Sequence, residues 1–136
     1  MAIERKRKKN MNVDNAKSQM RKGMLEYCVM LLLRNESSYA NDIILRLREA
    51  ELIVVEGTLY PLLTRLKNEG LLSYEWREST QGPPRKYYAL TPAGEEFLCA
   101  LDCVWNELSR TVGILKAGAP LRLPLSNNQS KTTERI

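Results

Sequence analysis

Between Val54 and Trp76 the apolar residues change their spacing, and this change limits the folds that are open to the chain. The first part repeats leucine at three- and four-residue steps, at Leu59, Leu62, Leu63 and Leu66. From Leu72 to Trp76 apolar and polar residues alternate instead, which is the period of a strand. Gly70 lies between the two patterns, where a glycine commonly ends a helix. The segment therefore predicts a helix, a glycine stop and a strand in direct succession.

Two more helices are predicted upstream and a hairpin and a long helix downstream. The first runs from Asn15 to Arg34, and the second from Tyr39 to Ala50 with Ser37 or Ser38 as its cap. The apolar face predicted for the first comprises Met20, Met24, Tyr27, Cys28, Leu31 and Leu32. After the turn-rich ESTQGPP, RKYYAL predicts a returning strand. Thr91 then caps a helix that begins at Pro92 and ends near Lys116.

This order predicts a mainly α (α+β) fold, a winged helix-turn-helix domain followed by a long C-terminal dimerisation helix. In such a domain the third helix can enter the major groove of DNA while the hairpin reaches the flanking backbone. The predicted segments are a disordered basic arm (1–14), the winged-helix domain (15–91), the dimerisation helix (92–116) and a disordered tail (117–136).

Positive charge is concentrated at the N-terminus, although the whole chain carries only +5. Residues 1–22 hold eight Lys and Arg against two acidic residues, whereas residues 23–136 hold thirteen basic and fourteen acidic residues. The run ERKRKKN is typical of a segment that seeks phosphates, and it is equally typical of a solvated tail. Composition alone leaves both interpretations open.

Several classes of protein are disfavoured by what the chain lacks. It has no histidine, the commonest general base and neutral metal ligand, so we expect neither an enzyme nor a cofactor. Cys99 and Cys103 lie four residues apart without a further soft ligand nearby, so we expect no metal site. The longest apolar run, Cys28 to Leu33, is too short to span a bilayer, and no signal peptide precedes it. We therefore expect a cytoplasmic protein with reduced thiols and no membrane partner.

The third helix contains two poor helix formers, Gly57 and Pro61, which cost about 1 and about 3 kcal/mol relative to Ala in a helix interior. A glycine lets the backbone approach a phosphate closely, and an exposed helix N-terminus favours an anion. Thr58 and Tyr60 offer hydroxyls to phosphates or base edges. The alternative is that Gly57 and Thr58 merely start the helix and that packing tolerates Pro61. The hairpin that follows favours the DNA-binding interpretation.

The hairpin QGPPRKYYAL combines a stiff tip with two charges, Arg85 and Lys86. The prolines reduce the entropy lost when the tip becomes ordered. A solubilising surface turn is the alternative, and again the order of elements favours contact with nucleic acid.

The chain resembles the PadR family of bacterial transcriptional regulators over about residues 17–112, and three collinear blocks carry the resemblance. They are QMRKGMLEYCVMLLL, GTLYPLLTRLKNEGLL and GPPRKYYALTPAGEEFL. The resemblance implies a dimer, DNA binding by the third helix and the wing, and repression as the default activity. One departure is Ala40, where the family commonly has a glycine after the tyrosine. We expect it to alter the approach of the second helix and not the fold.

The predicted contact residues fall into two sets. Those expected to bind double-stranded DNA are Lys17, Lys22, Tyr39, Gly57, Thr58, Tyr60, Pro61, Arg65, Arg85 and Lys86. Those expected at the homodimer interface form a stripe at three- and four-residue steps, namely Phe97, Leu101, Val104, Trp105, Leu108 and Val112. In a two-fold dimer Trp105 approaches its counterpart, where two indoles can stack on a small planar aromatic effector. A simple core position is the alternative for Trp105.

The sequence thus predicts a DNA-binding transcriptional regulator, a ligand-responsive repressor that acts as a homodimer on a two-fold operator. The alternative is a winged-helix sensor or protein-interaction module with weak DNA binding, which the net charge of −1 outside the N-terminal residues keeps open.

Overall fold

The computed structural model describes the backbone of residues 2–118 and the side chains from residue 12 onward. The elements are α1 (Ala2–Asn35), α2 (Ala40–Glu49), α3 (Glu56–Asn68), β1 (Leu72–Ser79), β2 (Gly82–Leu90) and α4 (Pro92–Ala117). This order confirms the predicted winged helix-turn-helix fold. The chain divides into two compact units within α4, one ending at Asp102 and the other beginning at Cys103. The predicted disordered tail lies outside the described residues from position 119 onward.

The first unit has one apolar core, to which every element contributes. Its buried side chains are Leu25, Val29, Met30, Leu33, Ala40, Ile43, Ile44, Leu47, Val54, Leu59, Leu63, Leu66, Leu72, Tyr88 and Leu98. The leucines of α3 are fully buried at Leu59, Leu63 and Leu66, as their helical spacing predicts. The opposite side of α3 is thereby directed to solvent.

The first helix differs from the prediction in its start and in its buried face. Residues 2–14, predicted to be disordered, continue α1, which begins at Ala2. Lys, Arg and Glu favour a helix on their own, so the lack of an apolar stripe does not prevent one. The buried side chains are Leu25, Val29, Met30 and Leu33, whereas Met20 of the predicted face is 73% exposed. Apolar side chains lie on every side of this part of α1, so its sequence does not determine which side is buried. The docking of α2 and α3 decides it.

The start of α2 is fixed by a long-range contact rather than by a serine cap. Tyr39 occupies the cap position and makes no side-chain capping bond, so the predicted cap at Ser37 or Ser38 is wrong. Ser38 is fully buried, and its hydroxyl accepts a hydrogen bond from Arg46 Nη1 at 2.8 Å. Its backbone exchanges two hydrogen bonds with Tyr88, at 3.1 and 2.8 Å. These bonds attach β2 of the wing to the entrance of α2.

The wing is an antiparallel pair of strands that is longer than predicted. The segment ESTQGPP, predicted to be a loop, is mostly strand, and only Thr80 and Gln81 separate β1 from β2. Pro83 and Pro84 are tolerated in β2 because a two-stranded sheet has open edges, where a missing backbone N–H costs little. Cross-strand pairs include Trp76 with Lys86 and Arg77 with Arg85. Successive residues of a strand point to opposite faces, so Lys86 and Arg85 lie on different sides of the wing.

The junction between the wing and α4 is tightly packed. Thr91 Oγ1 accepts a hydrogen bond from the Gly94 N–H at 3.0 Å and donates one to the Gly70 carbonyl at 2.6 Å. The predicted cap at Thr91 is therefore confirmed. Gly70 has φ +81°, in the left-handed region that ends a helix, which confirms the glycine stop. A Cβ on Gly94 would lie 2.1 Å from the Leu71 carbonyl oxygen, so this position requires glycine.

Candidate nucleic-acid interface

The outward face of α3 exposes the hydroxyls of Thr58 and Tyr60 and the backbone at Gly57. Val55 caps the helix with its carbonyl, which accepts from the N–H groups of Thr58 and Leu59 at 3.0 Å, and it offers no side-chain cap. A Cβ built on Gly57 meets nothing within 4 Å, so the packing of this chain does not demand glycine there. Thr58, Tyr60 and Pro61 are exposed. This helix start therefore presents hydroxyls and uncovered N–H groups to a partner.

Arg65, predicted to contact DNA, is paired within the chain. Its Nη2 lies 2.7 Å from Glu26 Oε1 on α1, and its Nη1 lies 3.3 Å from Glu69 Oε2 on the segment after α3. The hydrogen bond to Glu26 is the main cause of a raised pKa of the guanidinium. The Arg65 side chain thus ties α3 to α1. Its contact with DNA stays a prediction, and a phosphate would have to compete with two carboxylates for it.

One face of the wing stacks arginines on tyrosines. Arg85 Cζ lies 4.4 Å from the ring centroid of Tyr39, and Arg77 Cζ lies 4.4 Å from that of Tyr87. The two tyrosine rings are 5.3 Å apart. Arg77 also donates to Glu75 at 2.7 Å. Tyr39 and Arg85 are therefore brought together, as neighbours in one stack that stiffens the wing against α2.

The opposite face of the wing carries Lys86. Its Nζ lies 4.4 Å from the ring centroid of Tyr74 and 5.5 Å from that of Trp76. Lys67 of α3 approaches the same Tyr74 ring, at 5.5 Å. Sequence reasoning treated Arg85 and Lys86 as one charged pair, and it did not include Tyr74 or Trp76 in the interface. The alternation of β1 was the available signal, since it places Trp76 opposite Lys86.

The two lysines predicted on α1 lie in different surroundings. Lys22 borders a concavity of about 510 Å³ together with Thr58, Pro61 and Arg65 of α3, so it joins the recognition helix. Lys17 borders an apolar groove instead, beside Met20, Met24 and Leu31. Both lysines are exposed. The structure thus adds Lys22 to the face of α3 and places Lys17 apart from it.

The last residue of the first unit, Asp102, is bound to α1. Tyr27 donates to its Oδ1 at 2.5 Å, and Arg34 Nη2 lies 2.6 Å from its Oδ2. The hydrogen bond from Tyr27, followed by that from Arg34, lowers the pKa of Asp102. The same bond raises the pKa of Tyr27 to about 12. Asp102 therefore fixes the first part of α4 on α1, a role that its position beside the predicted apolar stripe did not reveal.

The predicted dimer stripe is only partly solvent-facing. Leu101 is partly buried against the core of its own chain, and Leu98, which was not predicted, is fully buried. Phe97 is 36% exposed. In the second unit the apolar side chains at Val104, Trp105, Leu108, Val112, Ile114 and Leu115 are all exposed, and Trp105 is 42% exposed. The start of the stripe thus packs internally, and the remainder has an uncovered apolar face.

The part of the chain that the structure describes offers neither a metal site nor a membrane span. Among residues 12–118, whose side chains the structure describes, no three His, Cys, Asp or Glu side chains come together as a possible metal site. No helix in the same range is both long and apolar enough to cross a bilayer. Cys28, Cys99 and Cys103 are free thiols, and burial raises the pKa of Cys28.

The fold is that of a winged helix-turn-helix protein. Three helices form one unit, the third has an exposed outward face, and a two-stranded wing that carries cations lies beside them. Residues 29–100 match the transcriptional regulator PadR-like family. The chain belongs to this family of DNA-binding regulators of transcription, whose members are not enzymes.

Solved structures of the family agree with this assignment. A PadR-like transcription factor from Bacteroides fragilis shares 71% sequence identity; the match covers 74% of this chain and 98% of that one, with a TM-score of 0.64. A PadR family transcriptional regulator from Eggerthella lenta shares 33% identity over 78% of this chain and 93% of its own, with a TM-score of 0.72. A PadR-like transcriptional regulator from Bacillus cereus shares 36% identity over 71% and 95%, with a TM-score of 0.65.

Proposed function

We propose that this protein is a homodimeric repressor that binds a two-fold operator, with α3 in the major groove and the wing at the flanking backbone. The observation that carries the proposal is the position of the exposed α3 face, which has Lys22 on one side and the wing cations on the other. A major groove admits a helix of this kind, and cations on both sides can neutralise the phosphates that border the groove.

The contacts divide by the information that they carry. Thr58 and Tyr60 are exposed at the start of α3, so they reach base edges or the nearest phosphates. The bare backbone at Gly57 permits a close approach of a phosphate to the helix N-terminus. Lys22 and Lys86 supply positive charge without reading sequence. Of the remaining predicted residues, Tyr39, Pro61, Arg65 and Arg85 contact the backbone or hold these groups in place, whereas Lys17 lies apart from this face.

Dimerisation is supported by the second unit considered alone. Val104, Trp105, Leu108 and Val112 leave an apolar face on a helix that has no covering element within the described residues. An apolar stripe at helical spacing is stabilised by a second copy of itself. Two recognition helices related by a two-fold axis then read half-sites one helical turn apart.

The Trp105 indole is the candidate site for an effector in that dimer. A planar aromatic molecule that stacks on it would separate the two last helices and change the spacing of the recognition helices. Such a molecule releases DNA only if it binds one arrangement of the dimer better than the other. Fluorescence quenching of Trp105 that tracks release of operator DNA supports this role, and quenching without release contradicts it.

The DNA-binding proposal is tested by gel shift with duplex DNA from the region upstream of the protein's own gene. Thr58→Ala should weaken specific binding by about 1–3 kcal/mol if its hydroxyl reads a base. Lys86→Ala should reduce the slope of log affinity against log salt by about 0.9, since one phosphate contact is lost. Arg48→Ala is the charge-matched control, because Arg48 lies in the last turn of α2, away from Tyr39.

The outcomes separate the proposal from its alternative. Equal losses in Lys86→Ala and Arg48→Ala would show that only overall charge matters. Wild-type protein that shifts no DNA at low salt would favour the alternative, a winged-helix sensor or protein-interaction module.

A further inference from the structure

Trp76 is the most exposed aromatic side chain of the wing, at 61% of its surface. Within the chain it meets the edge of Tyr74, with ring centroids 6.3 Å apart and planes at 87°. Its cross-strand partner Lys86 holds its Nζ 5.5 Å from the indole centroid. Contact of this exposed aromatic surface with a partner would be favourable, because it removes a large apolar area from water. The flat face of this indole is therefore available to a partner.

The same side chain borders a cleft of about 380 Å³ between the wing and the helix-turn-helix. Tyr60 and Thr64 of α3, one turn apart, form one wall, and Trp76 and Lys86 of the wing form the other. Tyr60 is itself 47% exposed. The cleft thus lies between the two elements that are proposed to meet DNA.

The charge of the cleft selects an anion. Arg85 and Lys86 border it, and among the described residues that line it none is Asp or Glu. The segment Tyr39–Asn41, where α2 begins, also borders it, and Tyr39 provides no side-chain cap there. The first N–H groups of α2 therefore add a partial positive charge at the same place. Aromatic rings and cations therefore line the same cleft, with Arg85 against Tyr39 and Lys86 against Trp76.

A strand of DNA offers a partner to both kinds of group, since each anionic phosphate is followed by a largely apolar deoxyribose. We propose that this cleft holds the DNA backbone that runs from the recognition helix to the wing, with the Trp76 indole against a deoxyribose and Lys86 on an adjacent phosphate. The inference rests on the proposed function and adds a non-ionic contact to it. Trp76 supplies apolar contact area, so its contribution to affinity does not depend on salt, whereas that of Lys86 does.

The test compares Trp76→Ala, Trp76→Phe and Lys86→Gln on a duplex selected from a random pool by the wild-type protein. Trp76→Ala should lower affinity about tenfold, toward the low end of the range for an aromatic face lost from a nucleic-acid contact. Its plot of log affinity against log salt should stay parallel to that of wild type. Trp76→Phe should stay within about threefold of wild type because it keeps an aromatic face. Lys86→Gln should instead flatten the plot by about 0.9.

Two further measurements control this comparison. Leu45→Ala removes another exposed apolar side chain, on α2 and outside the cleft, and should leave affinity unchanged. Thermal melting followed by circular dichroism checks that each variant is folded. DNA should quench tryptophan emission in wild type, and most of that quenching should disappear in Trp76→Phe, which retains only Trp105 as a tryptophan.

Each result decides for or against the inference. If folded Trp76→Ala binds DNA as wild type does, or if the quenching persists in Trp76→Phe, the indole does not contact DNA. If adenosine monophosphate quenches Trp76 while DNA does not, the cleft is a small-molecule site and the inference is wrong. Wild-type protein that binds no member of the random pool would contradict the proposed function itself, and this inference with it.

Discussion

Gly94→Ala tests the packing that sets α4 against the wing. The added Cβ would lie 2.1 Å from the Leu71 carbonyl oxygen, and real Cβ atoms essentially never approach closer than 3.0 Å. The two segments must therefore separate by about 0.9 Å, a shift that the overpacking of a tight core imposes. The same carbonyl accepts a hydrogen bond from the Thr91 N–H at 3.1 Å, and the shift weakens it.

The expected cost follows from these two contacts. Overpacking costs about 1–3 kcal/mol, and partial loss of one backbone hydrogen bond adds about 1 kcal/mol. Because the atom in the way is backbone, it cannot move aside as a flexible side chain would. We therefore expect Gly94→Ala to lower the free energy of unfolding by about 2–4 kcal/mol. A domain of ordinary stability, about 5–15 kcal/mol, would remain folded at 25 °C.

Urea unfolding at one fixed protein concentration measures this difference, since a dimer's stability depends on concentration. Gly23→Ala is the matched control, because Gly23 lies inside α1 and a Cβ there meets nothing within 4 Å. Removing a helix-interior glycine should stabilise the protein by up to about 1 kcal/mol. If Gly94→Ala is as stable as wild type, the close approach of α4 to Leu71 is not as described and the reasoning is refuted.

Two further changes test contacts between elements, and a third tests the N-terminal residues. Ser38→Ala should destabilise the protein by about 1–3 kcal/mol in urea unfolding, because Arg46 loses its buried acceptor; an unchanged midpoint would contradict this. Ultraviolet titration should find the phenol of Tyr27 ionising near pH 12, and Asp102→Ala should return its pKa toward 10. Folding favours the protonated phenol of Tyr27, so its hydrogen bond stabilises the protein fully below pH 10, and this stabilisation is lost as the pH rises to about 12. A Tyr27 phenol that already titrates near pH 10 in wild type would refute the bond to Asp102. Deleting residues 1–14 removes five Lys and Arg and should weaken binding to all DNA sequences equally in gel shifts, less so at high salt; a loss confined to the specific site would show base reading.

The sequence predicts most of the fold because local patterns coincide with the elements. The period change around Gly70 marks the end of α3 and the start of β1. The Thr91 and Pro92 pair marks the start of α4, where the cap has the predicted geometry. Each of these signals acts within a few residues, so no knowledge of distant parts of the chain is needed.

The contacts that the sequence did not reveal join residues that are far apart in sequence. Ser38 looked like a helix cap, but the pairing with Tyr88 places its hydroxyl in the interior. The pairing of Arg65 with Glu26 was not evident either, because Glu26 lies 39 positions away and reaches Arg65 from α1. Such contacts depend on how helices dock, and a single sequence holds no direct record of docking.

The most direct test of the central claim is a ratio of two affinities at about 150 mM salt. The first is for a duplex selected by the protein from a random pool, and the second is for a scrambled duplex of equal length and composition. A regulator that reads bases with α3 should bind the selected duplex at least about 10³-fold more tightly. Equal affinities for the two duplexes would mean that only phosphates are bound, and would contradict sequence-specific regulation by this protein.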